Sequence, residues 1–183
     1  MKEIRIADHS IHFQMYPFPA STIYPNGRID AECISEILID RFPPEVRTNK
    51  HEILFVTATL KDELVQFAQS HDIPIVLRID SWSWIGEEFL DTEQTAEDKE
   101  QVYQILEKEG LDRTFVKETR DFIHVPMMLY NSFFWEWAHL GLYDVLLAVS
   151  GQFPNGDKVK FSDEAFERFY WHAMEIAMRE SKR

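Results

Sequence analysis

Apolar and polar residues alternate along the first part of the chain. Residues 2–6 and 11–16 show the period of half-buried strands, with Ile11, Phe13 and Met15 on one side and His12 and Gln14 on the other. Pro25-Asn26-Gly27 lies between Thr22-Ile23-Tyr24 and Arg28-Ile29 and predicts a tight hairpin turn, because Asn and Gly tolerate positive φ. Residues 34–39 fit a strand or a short helix; strand is the reading adopted, with Pro43-Pro44 as the stop.

Residues 51–58 form a short apolar run, followed by Thr59 as an N-cap candidate and by Leu60, Leu64, Phe67 and Ala68 at helical spacing. A second apolar run covers 73–79. Strand, helix, strand in this compass predicts a βαβ unit with parallel strands, or else a small curved sheet in which the second run adds an antiparallel strand.

After Asp80 the period becomes helical. Helices are expected over 82–90, over 92–109 with Gly110 as its stop, and from Asp112 onward with Phe115, Phe122 and Ile123. A long aromatic helix is expected over 126–149, with Pro126 in its first turn, where the missing N–H costs nothing. Ser162, Asp163 and Glu164 open the last helix, with Phe166, Phe169, Tyr170, Ala173, Ile176 and Ala177 on one face, and Arg179, Lys182 and Arg183 at its end.

The class expected is α+β in one domain, 1–183. A mainly β subregion, 1–80, holds five or six strands with one helix between the last two. A helical subregion, 81–183, holds four or five helices packed around the central aromatic one. In 183 residues with 45% hydrophobic and 14% aromatic content there is material for a sizeable core and no linker-like stretch.

Charge narrows the function. Against 19 Lys and Arg stand 32 Asp and Glu, a net charge of −13, which repels a phosphate backbone and argues against nucleic acid and anionic membranes. The expected helix over 126–149 is long enough to span a bilayer, but Glu136 and Asp144 each cost roughly 2.5–3.5 kcal/mol at a bilayer centre, so a core helix is the reading. Cys33 is the only cysteine, read as a small buried residue, so no disulfide framework or CxxC pair exists. With no signal-like apolar run at the start, a cytoplasmic location is expected.

Candidate chemistry gathers in two places. Ser132, Glu136, His139 and Tyr143 stand at i, i+4, i+7 and i+11, a polar stripe if 126–149 is one helix, with Asn131 and Trp135 beside it. Glu136 and His139 form an E-x-x-H pair of the kind that brings a carboxylate and an imidazole to one metal; His172 with Glu175 and Asp121 with His124 repeat the spacing. Such a density of acids makes these matches what coincidence delivers, so no metal or other cofactor is expected. The second place is the segment after Asp80, where Trp82 and Trp84 could line a groove and Asp91 with Glu93 could serve acid–base work. Phosphate-loop, dinucleotide, GxSxG and HExxH motifs are absent from the chain.

The function expected is a non-enzymatic binding or regulatory module acting on another protein or on a second copy of itself, with Trp82, Trp84, Trp135, Tyr143 and Asp80 as binding residues. The alternative is a small hydrolase, metal-dependent or carboxylate-based, using Glu136, His139 and Asp91, with His172 as a third metal ligand.

Overall fold

The computed structural model of the chain describes residues 3–90, 93–136 and 138–181, arranged as two compact units. The first contains the residues up to Arg78 together with Glu167–Glu175; the second contains Ile79–Phe166 and Ile176–Ser181. The class is α+β, with two three-stranded antiparallel sheets where the sequence suggested one.

In the first unit β1 (Glu3–Ile6), β2 (Ser10–Gln14) and β3 (Asn26–Asp30) pair in sequence order. The alternation holds as far as Phe13, with Ile11 and Phe13 buried and His12 half-buried, but the strand ends at Gln14 and Met15, expected on the buried side, is 61% exposed at φ 52°. The tight turn expected at Pro25-Asn26-Gly27 is not there. Asn26 and Gly27 instead begin β3, opposite Gln14 and Phe13, and residues 15–25 form a long connection. Gly27 answers to close approach rather than to turn geometry, since a Cβ there would meet Ile23 at 2.8 Å.

The second sheet has the order β4 (Ile34–Leu38), β5 (Glu45–Thr48), β6 (Ile53–Phe55). Residues 34–38 are a strand, as read. Strand β5 had no sequence signal because its buried face carries charge. Arg47 lies 3.1 Å from Glu45 and 3.9 Å from Glu36, and Glu36 in turn is held by Arg78 through contacts of 2.6 and 2.8 Å. A paired guanidinium and carboxylate can be buried where an isolated charge cannot.

The run at 73–79 does not become a strand. It makes one parallel bridge, Ile75 with Ile37, through Ile37 N–H to the Pro74 carbonyl at 2.9 Å and Val76 N–H to the Ile37 carbonyl at 3.0 Å. Its partner is therefore β4 and not β6, and Pro74, lacking an N–H, does not extend the ladder. Helix α1 (Lys61–Ser70) precedes this segment and follows the last strand; Thr59 does not cap it, its hydroxyl meeting Thr57 instead.

Aromatic rings fill this core: Phe13, Tyr16, Phe18, Phe55 and Tyr170 form a chain of contacts with centroids 5.5–6.1 Å apart. Below them Glu52 is buried and accepts from Ser21 Oγ (2.7 Å), Thr22 N–H (3.1 Å), Tyr170 OH (2.9 Å) and the Thr22 hydroxyl. Four donors satisfy a carboxylate that could not stay charged in an apolar interior alone. Cys33 is half-buried rather than buried.

In the second unit the helices are α2 (Ser81–Gly86), α3 (Ala96–Lys108), α4 (Arg113–Phe134) and α5 (Leu142–Val149). The last helix, α6 (Asp163–Met178), opens at Ser162, whose hydroxyl accepts from Ala165 N–H at 3.3 Å. Asp112 caps α4 through Phe115 N–H at 2.9 Å, and Gly110, at φ +79°, closes the turn after α3. Lys182 and Arg183, assigned above to the end of the last helix, lie outside the described residues.

The single helix expected over 126–149 is two helices. Pro126 is buried in the interior of α4, fourteen residues after its cap, and the helix ends at Phe134 with Trp135 in the left-handed region (φ 53°). Asn131 makes the break possible. Its Oδ1 accepts from Glu136 N–H (2.7 Å) and its Nδ2 donates to the Glu136 and Phe89 carbonyls (3.0 and 2.8 Å). One side chain thereby satisfies both backbone groups of Glu136, just past the helix end, and the Phe89 carbonyl. Among the described residues no helix is long and apolar enough to cross a membrane.

Candidate functional site

The break between α4 and α5 scatters the expected polar stripe: Ser132 stays on α4, Glu136 and His139 lie in the connection, and Tyr143 sits in the first turn of α5. Two groupings replace it.

The first is built on the start of α2. Asp80 caps that helix, its Oδ1 accepting from Ser83 N–H at 3.0 Å. The fold brings the 135–141 connection close, and Gly86 is where it fits, since a Cβ there would stand 2.5 Å from the Leu140 carbonyl oxygen. Arg120 reaches across from α4 to bond the Trp84 and Ile85 carbonyls, both at 3.0 Å, satisfying the end of α2. His139 then places Nδ1 3.1 Å from Ser83 Oγ and Nε2 4.0 Å from Asp80 Oδ2. With the proton on Nε2, Nδ1 accepts from the Ser83 hydroxyl and the N–H faces the carboxylate. That is the order of a nucleophile, a base and an orienting acid, although 4.0 Å is longer than a hydrogen bond.

Asp144 lies beside this trio. It accepts from Tyr130 OH at 2.9 Å and from Gly141 N–H at 3.0 Å. Burial pushes its carboxyl above the ordinary range; the Gly141 N–H, the Tyr130 hydroxyl and His139 oppose the rise, and Glu136 adds to it. Burial also raises the Tyr130 and Tyr143 phenols, and Asp144 raises both further. Glu136 turns its own carboxylate toward Ala138 N–H at 3.0 Å.

The second grouping is apolar. On a helix, positions 122, 125, 128, 129, 132 and 133 share one face. In α4 that face is open: Phe122 is 56% exposed, Val125 61%, Met128 50% and Phe133 40%, with Trp135 at 71% just past its end. Phe89, Met128, Asn131, Ser132 and Trp135 line a concavity of about 270 Å³ there. Trp135 is a bulky side chain in left-handed backbone, which costs of order 1–3 kcal/mol and persists only where the surroundings impose it.

Of the residues singled out from the sequence, the structure joins Asp80 to His139, with Ser83 as the member the sequence did not suggest. Trp82 is completely buried and serves the core, Trp84 is half-buried, and Trp135 is the exposed ring. His172 sits on α6 beside Glu175 at 3.9 Å, in the part of the helix that belongs to the first unit. Among the described residues no group of three or more His, Cys, Asp or Glu is placed to hold a metal. Asp91 lies outside the described residues. Comparison of the chain with protein-family models, curated proteins and solved structures finds no match.

Proposed function

We propose that the protein is a non-enzymatic binding module that holds a basic, amphipathic segment of another protein against the open face of α4. The observation that carries this reading is the row Phe122, Val125, Met128 and Phe133, ending at the strained, exposed Trp135. Large apolar side chains contiguous on one surface mark interaction sites more often than scattered ones do, and Trp is enriched among residues that dominate binding. The concavity at Met128 and Trp135 is suited to one anchoring side chain of a helical ligand. A net charge of −13 favours a cationic partner over a second copy of the chain.

The test is titration with a short Leu/Lys amphipathic peptide and with a Gln/Lys peptide of equal charge. Saturable binding of the first, weakened about tenfold (~1.4 kcal/mol) by Trp135→Ala or Met128→Glu with unchanged melting, supports the reading. Equal binding of the two peptides, or none, overturns it. A concentration-dependent dimer abolished by the same substitutions assigns the face to a second copy instead.

One observation favours a second, enzymatic reading: the Ser83–His139–Asp80 arrangement suits acyl transfer to water from an activated ester. Hydrolysis of p-nitrophenyl acetate that disappears in both Ser83→Ala and His139→Ala would support it, and turnover unchanged in those variants removes it.

A further inference from the structure

In the first unit two imidazoles separated by 62 positions of sequence meet side by side. His9 lies in the turn between β1 and β2, and its carbonyl accepts from Ala31 N–H at 2.9 Å, which pins the turn. His71 follows the last residue of α1, its ring packed on Phe67 with centroids 4.6 Å apart. His71 Nδ1 is 2.9 Å from the Phe67 carbonyl oxygen. A carbonyl only accepts, so Nδ1 carries the proton and Nε2 presents its lone pair outward. That lone pair points at His9 Nδ1, 3.2 Å away, with the ring planes at 83°.

Two imidazole nitrogens bound tetrahedrally to one ion at 2.0–2.1 Å stand roughly 3.3 Å apart. A backbone carbonyl on the far nitrogen of a ligating histidine is the usual outer partner, fixing both tautomer and orientation. Both features are in place before any ion arrives. Two concavities of about 430 and 360 Å³ open beside the pair; both are lined by His9 and His71, with Asp8 and Glu63 in one and Asp30 and Glu32 in the other. Carboxylates around a cleft concentrate cations there.

We propose that His9 Nδ1 and His71 Nε2 are the two protein ligands of a site for a late first-row divalent ion, zinc or copper, with water in the remaining positions. Imidazole donors select these metals over magnesium or calcium. With two protein ligands rather than four the ion is exchangeable and keeps open positions, unlike a structural zinc. In the metal-free pair the shared proton sits on His9 Nδ1 and donates to His71 Nε2. On binding, His9 changes tautomer, the proton leaving Nδ1 while Nε2 takes one up from solvent, so no net proton is released. The inference is independent of the α4 face.

The experiment uses tag-free full-length protein titrated with ZnCl2 by calorimetry and with CuCl2 by electron paramagnetic resonance. One bound ion, nitrogen hyperfine coupling from two imidazoles, and affinity lowered about tenfold or more by His9→Gln and by His71→Gln are expected, with His172→Gln unchanged. His71→Gln removes a capping contact and could unsettle α1. His9→Gln, on an exposed residue, has a melting curve that separates loss of ligand from loss of fold. Affinity equal in wild type and His9→Gln, or a copper spectrum without nitrogen coupling, overturns the proposal and leaves an ordinary histidine–histidine hydrogen bond.

Discussion

Glu52 in the first unit is fully buried and Asp144 in the second is half-buried, and the two acids are treated differently. Glu52, 1% exposed, accepts from two hydroxyls and an N–H of the 15–25 connection and from the Tyr170 phenol. Asp144 receives two donors, the Tyr130 hydroxyl and the Gly141 N–H, and burial drives its carboxyl upward. The deeper acid is the better served. Depth alone therefore does not decide whether a buried acid supports a fold; the number of donors aimed at it does. Glu52 ties a long connection and α6 to the sheets, whereas Asp144 is a charge that its unit holds at some expense of stability.

Truncation should separate the two most strongly. Glu52→Ala leaves three hydroxyls and an N–H facing a void, and a loss of about 3 kcal/mol or more is expected by urea denaturation. Glu52→Gln can still accept at Oε1 and donate to the Thr22 hydroxyl, and should recover most of that loss. If the Ala and Gln variants were equally destabilised, charge rather than donor number would be the controlling quantity.

The opposite sign is expected at Asp144. A carboxyl raised on folding keeps its proton, as pH rises above the ordinary value of 3.8, after the unfolded chain has released its own. The folded state then binds more protons than the unfolded one, so stability falls with rising pH across that window and is unaffected below it. Asp144→Asn can accept from Gly141 N–H and donate to the Tyr130 oxygen. It should melt higher than wild type at neutral pH and alike in strong acid; a lower melting point at neutral pH would show that the charge supports the helix start more than burial opposes it.

The smallest effect marks the outer limit of the comparison. Arg113 meets Glu100 at 2.5 Å and Glu107 at 2.9 Å, with all three side chains 43–49% exposed. Water competes for each of these groups, so Arg113→Ala should hardly move the melting temperature in physiological salt, as two-point thermal shifts at low and high salt would register.

Local chemistry decides some elements as read, although the Pro25-Asn26-Gly27 turn and the Thr59 cap do not form and Pro126 lies inside a helix. Asp112, Gly110 and Ser162 act where their side chains or backbone freedom placed them. Strands β1 and β2 follow their alternation, and the segment that fitted strand or helix is strand β4. Other misses arise where tertiary partners decide. Glu45 and Arg47 are buried in β5 because they pair with each other, with Arg41 and with Glu36, which Arg78 holds in turn, and no period along the chain records this. The 126–149 run is apolar enough for one helix, yet Asn131 offers Glu136 better hydrogen bonding than another turn would. Apolar spacing placed α4 in the core without saying that one of its faces stays largely exposed, with Phe122 resting on Phe161 and Phe133 on Phe153. Ser83 with His139, and His9 with His71, are 56 and 62 residues apart, beyond any motif spacing.

The short bridge at Ile75 has a consequence outside stability. An open sheet edge is a template on which a strand from another molecule can grow into an aggregate. On the outer side of β4 that place is taken by a segment that makes two backbone bonds to Ile37, and Pro74 within it withholds an N–H. Arg78 clasps the same segment to Glu36, and Ile75 and Leu77, though partly exposed, sit on a stretch too irregular to propagate pairing. The failed strand acts as a gatekeeper, keeping β4 from recruiting its own kind while the chain is concentrated.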